Sequence, residues 1–150
     1  MPEHLTNNDR LALDAAYEQA VKSRDEGGIP IGAALITPAG DIVAAGHNLR
    51  VQTGDTTALR AAGRRRDWHT LTMATTLSPC AMCSGAAILH KIPRLVIGEA
   101  QTFQGREDWL AAEGVEIVHA HDQRCIDLMR TFIAEHPDLW NEDIGIPPSA

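Results

Sequence analysis

The stretch from Thr75 to Leu89, TTLSPCAMCSGAAIL, constrains this chain more than any other. Ser78 reads as a helix N-cap, Pro79 suits the first helical position, and an apolar run follows, so a helix is predicted to start here. Cys80 and Cys83 then stand three apart in its first turn and face the same way. Unbonded backbone N–H groups and the positive end of the helix dipole lower thiol pKa there, which favours thiolates, the form that binds metal or attacks as a nucleophile. Two thiolates are half of a zinc site. The same C-x-x-C after a strand also describes a dithiol redox centre, and cysteine is often simply a small buried residue. Zinc is the first reading, redox the second and core the third, because Ser-Pro before the pair and Met82 within it do not favour redox chemistry.

The rest of the composition narrows the setting. A chain of 150 residues predicts one domain with a core that needs no staples. No apolar run is long enough to span a bilayer, and Met1-Pro2-Glu3-His4 lacks the basic flank and apolar region of an export signal. Three cysteines, two of them in one motif, cannot make a disulfide framework, so a reducing cytoplasm is expected. A net charge of -7 argues against a general phosphate-binding surface, against nucleic acid, and for a small-molecule partner.

In chain order, a helix is predicted from about Asn8 to Glu26, capped by the Asn7-Asn8-Asp9 cluster and stopped at Gly27-Gly28. Leu13, Ala16, Tyr17, Ala20 and Val21 form its apolar face. Ile29–Ile36 reads as a strand, Pro38–Asp41 as a turn and Ile42–Gly46 as the antiparallel partner. The Gly32-Ala33-Ala34 run suits close approach of a ligand or, as the safer reading, of a helix. His47 and Asn48 close the second strand, where turn chemistry and a ligand role weigh about equally. A short helix is expected from Ala58 to Arg66, capped by Thr56 or Thr57, with Arg64-Arg65-Arg66 as its solvated end. Trp68–Thr75, Ile92–Gly98 and Val115–His119 supply three further strands, the Cys80 helix and a Glu107–Glu113 helix cross between them, and Gln123–Glu135 is amphipathic. Strand, helix, strand implies a parallel pair, and the repeated unit commits the chain to an α/β sheet layered by helices. Cys125 is read as core. Trp140 suggests that the C-terminal segment docks on the body, as packing or as a lid.

Several blocks together carry a resemblance. Glu26–Gly32 (EGGIPIG), Gly46–Arg50 (GHNLR), Thr75–Cys83 (TTLSPCAMC), Ile92-Pro93-Arg94 and Asn141–Gly145 (NEDIG) are similar to the cytosine deaminases of the fungal and related bacterial type, from about Asp14 to Gly145. The resemblance implies a three-layer αβα fold with a five-stranded mixed sheet, a homodimer, a free nucleobase as ligand and a role in pyrimidine salvage. It also implies one zinc ion held by a His and two Cys, with a non-ligand Glu moving protons. Carried over residue by residue, it makes Cys80 and Cys83 metal ligands, Asn48 a partner on the pyrimidine edge and Asp143 the acceptor for the exocyclic amine. Phe103 and Trp140 become apolar walls, and Ile31, Leu77 and Ser78 the pocket floor.

The match breaks at the family's H-x-E element, which supplies the third zinc ligand and the proton-shuttling Glu. Between Asn48 and Trp68 there is no His and no Glu, and the flanking blocks align across a gap of roughly six residues. His47 and His69 are the imidazoles near enough in sequence to stand in, but neither is followed two residues later by a Glu. No catalytic residue is assigned. The expectation is a cytosine deaminase impaired or inactive as written, with two alternatives: a silent homologue acting as a dimeric binding partner, or a dithiol redox protein.

Overall fold

The computed structural model describes residues 4–53 and 58–148, with positions 58 and 59 described in their backbone alone. The first helix, α1, spans Asn7–Asp25. Its cap is Thr6, one residue ahead of the polar cluster expected to do this. Thr6 Oγ1 accepts from the Asp9 N–H at 3.1 Å and Asp9 Oδ2 accepts from the Thr6 N–H at 2.9 Å, a reciprocal capping box. Gly27, at φ 85°, ends the helix as its sequence predicts.

Strands β1 (Gly32–Ile36) and β2 (Ile42–His47) form the expected antiparallel pair. The predicted helix over 58–66 is instead a 3-10 turn at Ala58–Ala62, so the arginine run lies beyond it, with Arg65 paired to Asp67 at 2.8 Å. Its expected caps, Thr56 and Thr57, lie outside the described residues. Trp68 does not open a strand. Trp68–Thr70 make one 3-10 turn in which the buried Trp68 ring stacks on His90 at 4.2 Å, and β3 is Thr72–Leu77. The remaining elements are α2 (Ala81–Leu89), β4 (Arg94–Glu99), α3 (Glu107–Ala112), β5 (Glu116–His119), α4 (Gln123–Glu135) and α5 (Pro137–Asp143).

The sheet order is β2-β1-β3-β4-β5, with β1 antiparallel to both neighbours and β3, β4 and β5 parallel. β1, β3 and β4 are buried along nearly their whole length because both faces are covered. On one face Leu35, Met73, Leu95 and Ile97 pack with Ala87 of α2 and Leu110 of α3. On the other, Ala34, Ile36, Ala74 and Val96 pack with Ala12, Leu13 and Ala16 of α1 and Cys125 of α4. This is the three-layer αβα arrangement with a five-stranded mixed sheet. Gly32 permits it locally, since a Cβ there would overlap the Ala16 carbonyl oxygen of α1, which makes helix packing a use of the small-residue run. A third cluster, Ile29, Leu77, Met129, Phe132 and Trp140, seals one end of the sheet and docks α5 there.

Candidate functional site

Because β1 and β3 are antiparallel, the start of β1 lies beside the end of β3, and the end of β2 pairs with the start of β1 from the other side. Side chains remote in sequence converge at this edge. A cavity of 230 Å³ opens there, and every residue singled out for a site lines it: Ile31, Asn48, Leu77, Ser78, Cys80, Cys83, Phe103, Trp140 and Asp143. Arg50 and Thr75 line it too, and sequence reading did not single them out.

Asn48 is fixed from several directions. Its N–H donates to the Ile31 carbonyl at 2.9 Å, its carbonyl accepts from Ser23 Oγ at 3.1 Å, and its Oδ1 accepts from the Arg50 N–H at 2.9 Å. Its side chain also bonds Asp143. Burial pushes the Asp143 carboxyl above its ordinary value, and the Cys80 and Glu142 charges add to this, while the Arg50 guanidinium and the Asn48 bond oppose it. Arg50 Nε lies 3.6 Å from Asp143 Oδ1, a contact between the loop after β2 and the C-terminal helix. Phe103 and Trp140 meet edge to face at 5.7 Å and make the apolar wall.

The cysteine turn differs from its prediction. Cys80, not Ser78, is the N-cap of α2, and its carbonyl accepts from the Ser84 N–H at 2.9 Å. Ser78 is committed elsewhere: its hydroxyl donates to Glu107 Oε2 at 2.6 Å and accepts from the Gly105 N–H at 2.9 Å. The Arg106 N–H donates to the Pro79 carbonyl at 3.0 Å, so the segment before α3 straps this turn down. A Cβ at Gly105 would overlap the Pro79 carbonyl oxygen. The Cys83 thiol hydrogen-bonds Cys80, and this, with backbone N–H groups of the first turn, outweighs burial and brings the Cys80 thiol down to about 5. Cys125, in contrast, is core as expected, and burial pushes its thiol up to about 12.

The sulfur pair suits a soft or borderline metal, but a catalytic zinc site takes three protein ligands and keeps one position open. No group of three or more His, Cys, Asp or Glu able to hold a metal occurs among the described residues. His47 does not complete the pair: its Nε2 lies 3.3 Å from Glu26 Oε1 and its Nδ1 3.0 Å from the Asn48 carbonyl, outside the cavity lining. His69 is exposed in the turn before β3. The donors among the described residues therefore do not fit a complete zinc centre.

Three comparisons bear on this geometry. Residues 6–99 match the family described as the cytidine and deoxycytidylate deaminase zinc-binding region. The chain is 46% identical to a cytosine deaminase of Candida albicans over 149 residues, spanning 94% of this chain and 99% of that protein. It is 34% identical to a tRNA-specific adenosine deaminase of Bacillus subtilis, over 60% of this chain and 61% of that one. A solved guanine deaminase from Nitrosomonas europaea superposes with a TM-score of 0.66 at 23% identity, covering 89% of this chain and 88% of the other, which is a likeness of fold.

Proposed function

Because the chain belongs to the cytidine and deoxycytidylate deaminase family, whose matched region is a zinc-binding one, we propose that its cavity binds a free base of the cytosine type and deaminates it poorly or not at all. The observation that carries this reading is the split between a complete base pocket and an incomplete metal centre. Asn48, Asp143, Phe103 and Trp140 supply polar edge contacts and apolar walls in one cavity, while Cys80 and Cys83 have no third donor among the described residues.

Within that pocket Asn48, held by Arg50 and Ile31, bonds the pyrimidine edge, and the Asp143 carboxylate accepts from the exocyclic amine. Ile31, Leu77 and Ser78 form the floor. At 230 Å³ the cavity is smaller than sites for drug-sized ligands, which run from about 300 Å³. A single base is the fitting occupant. A relative named cytosine deaminase is 46% identical over 94% of this chain, against 34% over 60% for the tRNA-specific adenosine deaminase, which favours cytosine over tRNA. The net charge of -7 agrees. A missing general acid/base by itself removes about 10² to 10⁴ in rate.

The same reading makes the chain a homodimer in a reducing cytoplasm, at the pyrimidine-salvage step of the family. Helix α2 has no charged residue from Ala81 to Leu89, yet Met82 is 58% and Leu89 73% exposed, a face suited to a second copy. None of Cys80, Cys83 and Cys125 is in a disulfide among the described residues. A dithiol redox reading is favoured by one observation, the hydrogen bond between the Cys83 and Cys80 thiols. It predicts that metal-free protein cycles between dithiol and disulfide with a dithiol reductant.

The deciding experiment pairs calorimetric titration of the full chain with cytosine against an ammonia assay in excess zinc. Saturable binding at one site per chain without zinc-dependent ammonia release is expected. Ammonia release at the rate of an intact relative, or no binding at all, overturns the reading.

A further inference from the structure

Buried side-chain atoms without a partner among the described residues are Gln52 Oε1 and Thr75 Oγ1. Of the two residues, Thr75 lines the base cavity. It sits near the end of β3, 5% exposed, opposite Ala33 of β1 and Ile97 of β4, neither of which offers a polar side chain. Thr76, pointing to the other face, has its hydroxyl in use as acceptor for the Gly32 N–H at 3.1 Å. One hydroxyl of this dipeptide builds the fold and the other is left over. A buried hydroxyl without a partner costs stability, so its presence in a cavity wall points to a ligand atom that completes it.

The surrounding groups indicate which atom. On the reading above Asp143 takes the amine and Asn48 the ring edge beside it, while Asn48 Oδ1 also accepts from the Arg50 N–H and the Asn48 side chain bonds Asp143. Arg50 lies against Asp143 and the Glu142 carbonyl, and the Ser78 hydroxyl donates to Glu107. Thr75 is thus the lining hydroxyl whose proton is uncommitted. We infer that Thr75 Oγ–H donates to the ring carbonyl oxygen of a bound aminopyrimidinone, and so selects bases carrying that carbonyl over amines of the same shape without it. This rests on the reading of the cavity as a base pocket.

The test uses the full chain and two ligands, cytosine and 4-aminopyrimidine, which keeps the ring and the amine but lacks the carbonyl. Thr75→Val, nearly isosteric, is expected to weaken cytosine binding about 10-fold while leaving 4-aminopyrimidine within about twofold, and Thr75→Ser to retain the preference. The ligand-free melting temperature of Thr75→Val should stay level or rise by about 2 °C, because an unpartnered buried polar atom is removed. Weaker binding together with equal or greater stability is a pattern that a packing role does not produce. Cytosine bound equally well by Thr75→Val, or both ligands weakened alike, overturns this inference alone. Failure of the unaltered chain to bind either ligand overturns the pocket reading and this inference with it.

Discussion

At the scale of single residues, the proposed base recognition turns on Asp143 and Thr75, which both line the cavity. Burial raises the Asp143 carboxyl, so in the empty pocket its charge is held at a cost. Asp143→Asn removes that cost and exchanges the charged acceptor proposed for the amine for a neutral amide oxygen. Cytosine affinity should therefore fall about 10- to 100-fold, the range for a hydrogen bond to a charged group, while the melting temperature holds or rises. A calorimetric titration and a thermal melt of the same preparation check both halves. Asp143 was legible from the sequence because the resemblance continues through Asn141–Gly145. Thr75 was not, since within TTL nothing in the letters says which hydroxyl meets a backbone N–H and which meets a void. Arg50 escaped for a similar reason: its contact with Asp143 joins segments that are remote in sequence.

At the scale of elements, the junction of α1 with the sheet is the clearest case of one side chain serving two purposes. Asp9 closes the α1 capping box and also accepts from Arg94 Nε of β4 at 3.1 Å, and Arg94 in turn reaches Glu116 of β5 at 2.7 Å. Burial alone would raise the Asp9 carboxyl, but the Arg94 and Thr6 bonds outweigh it and hold it below the ordinary value. A carboxyl depressed in the folded state contributes stability that is present above its unfolded pKa and lost as pH falls through the folded one. The melting temperature should thus be insensitive to pH near neutrality and decline below about pH 4, and Asp9→Asn should lower it near neutrality and flatten that acid limb. A melt series from neutral to acid pH for both proteins makes the comparison. The strap over the cysteine turn gives a second prediction. Gly105→Ala forces a Cβ against the Pro79 carbonyl, so it should destabilise the fold by about 1–3 kcal/mol and loosen the Cys80–Cys83 pair. Faster alkylation of Cys83, which is half-buried, would report the loosening.

For the whole molecule, the covering of the sheet does not depend on the sulfur pair, for which the described residues supply no third donor. Both faces and one end of the sheet are packed without the H-x-E element, so the body folds whether or not the chemistry is complete. Lengthening the chain between Asn48 and Trp68 with a segment bearing H-x-E should therefore yield a protein that binds one zinc per chain and releases ammonia from cytosine. Metal analysis beside the ammonia assay would detect both gains, and zinc uptake without ammonia would show that more than this element is missing. The uncharged α2 face makes a further prediction at this scale. Leu89→Glu should convert a dimer to a monomer in sedimentation or light-scattering measurements while preserving the melt, because Leu89 is 73% exposed.

The sequence by itself determined the order of the five strands and of α1 to α4, the mixed sheet, the family and most of the cavity-lining residues, because these depend on local periodicity and on a resemblance carried by short contiguous motifs. Tertiary structure decided the matters of direction and supply. It moved the α2 cap from Ser78 to Cys80 because Glu107 and Gly105, brought over by the segment before α3, claim the Ser78 hydroxyl. It turned Trp68 from strand to buried stack because His90 lies beneath it. It left Thr75 facing the cavity without a partner because the strands on either side place Ala33 and Ile97 opposite it. A hydrogen bond needs both its groups in place, and only the folded chain fixes where the second one stands.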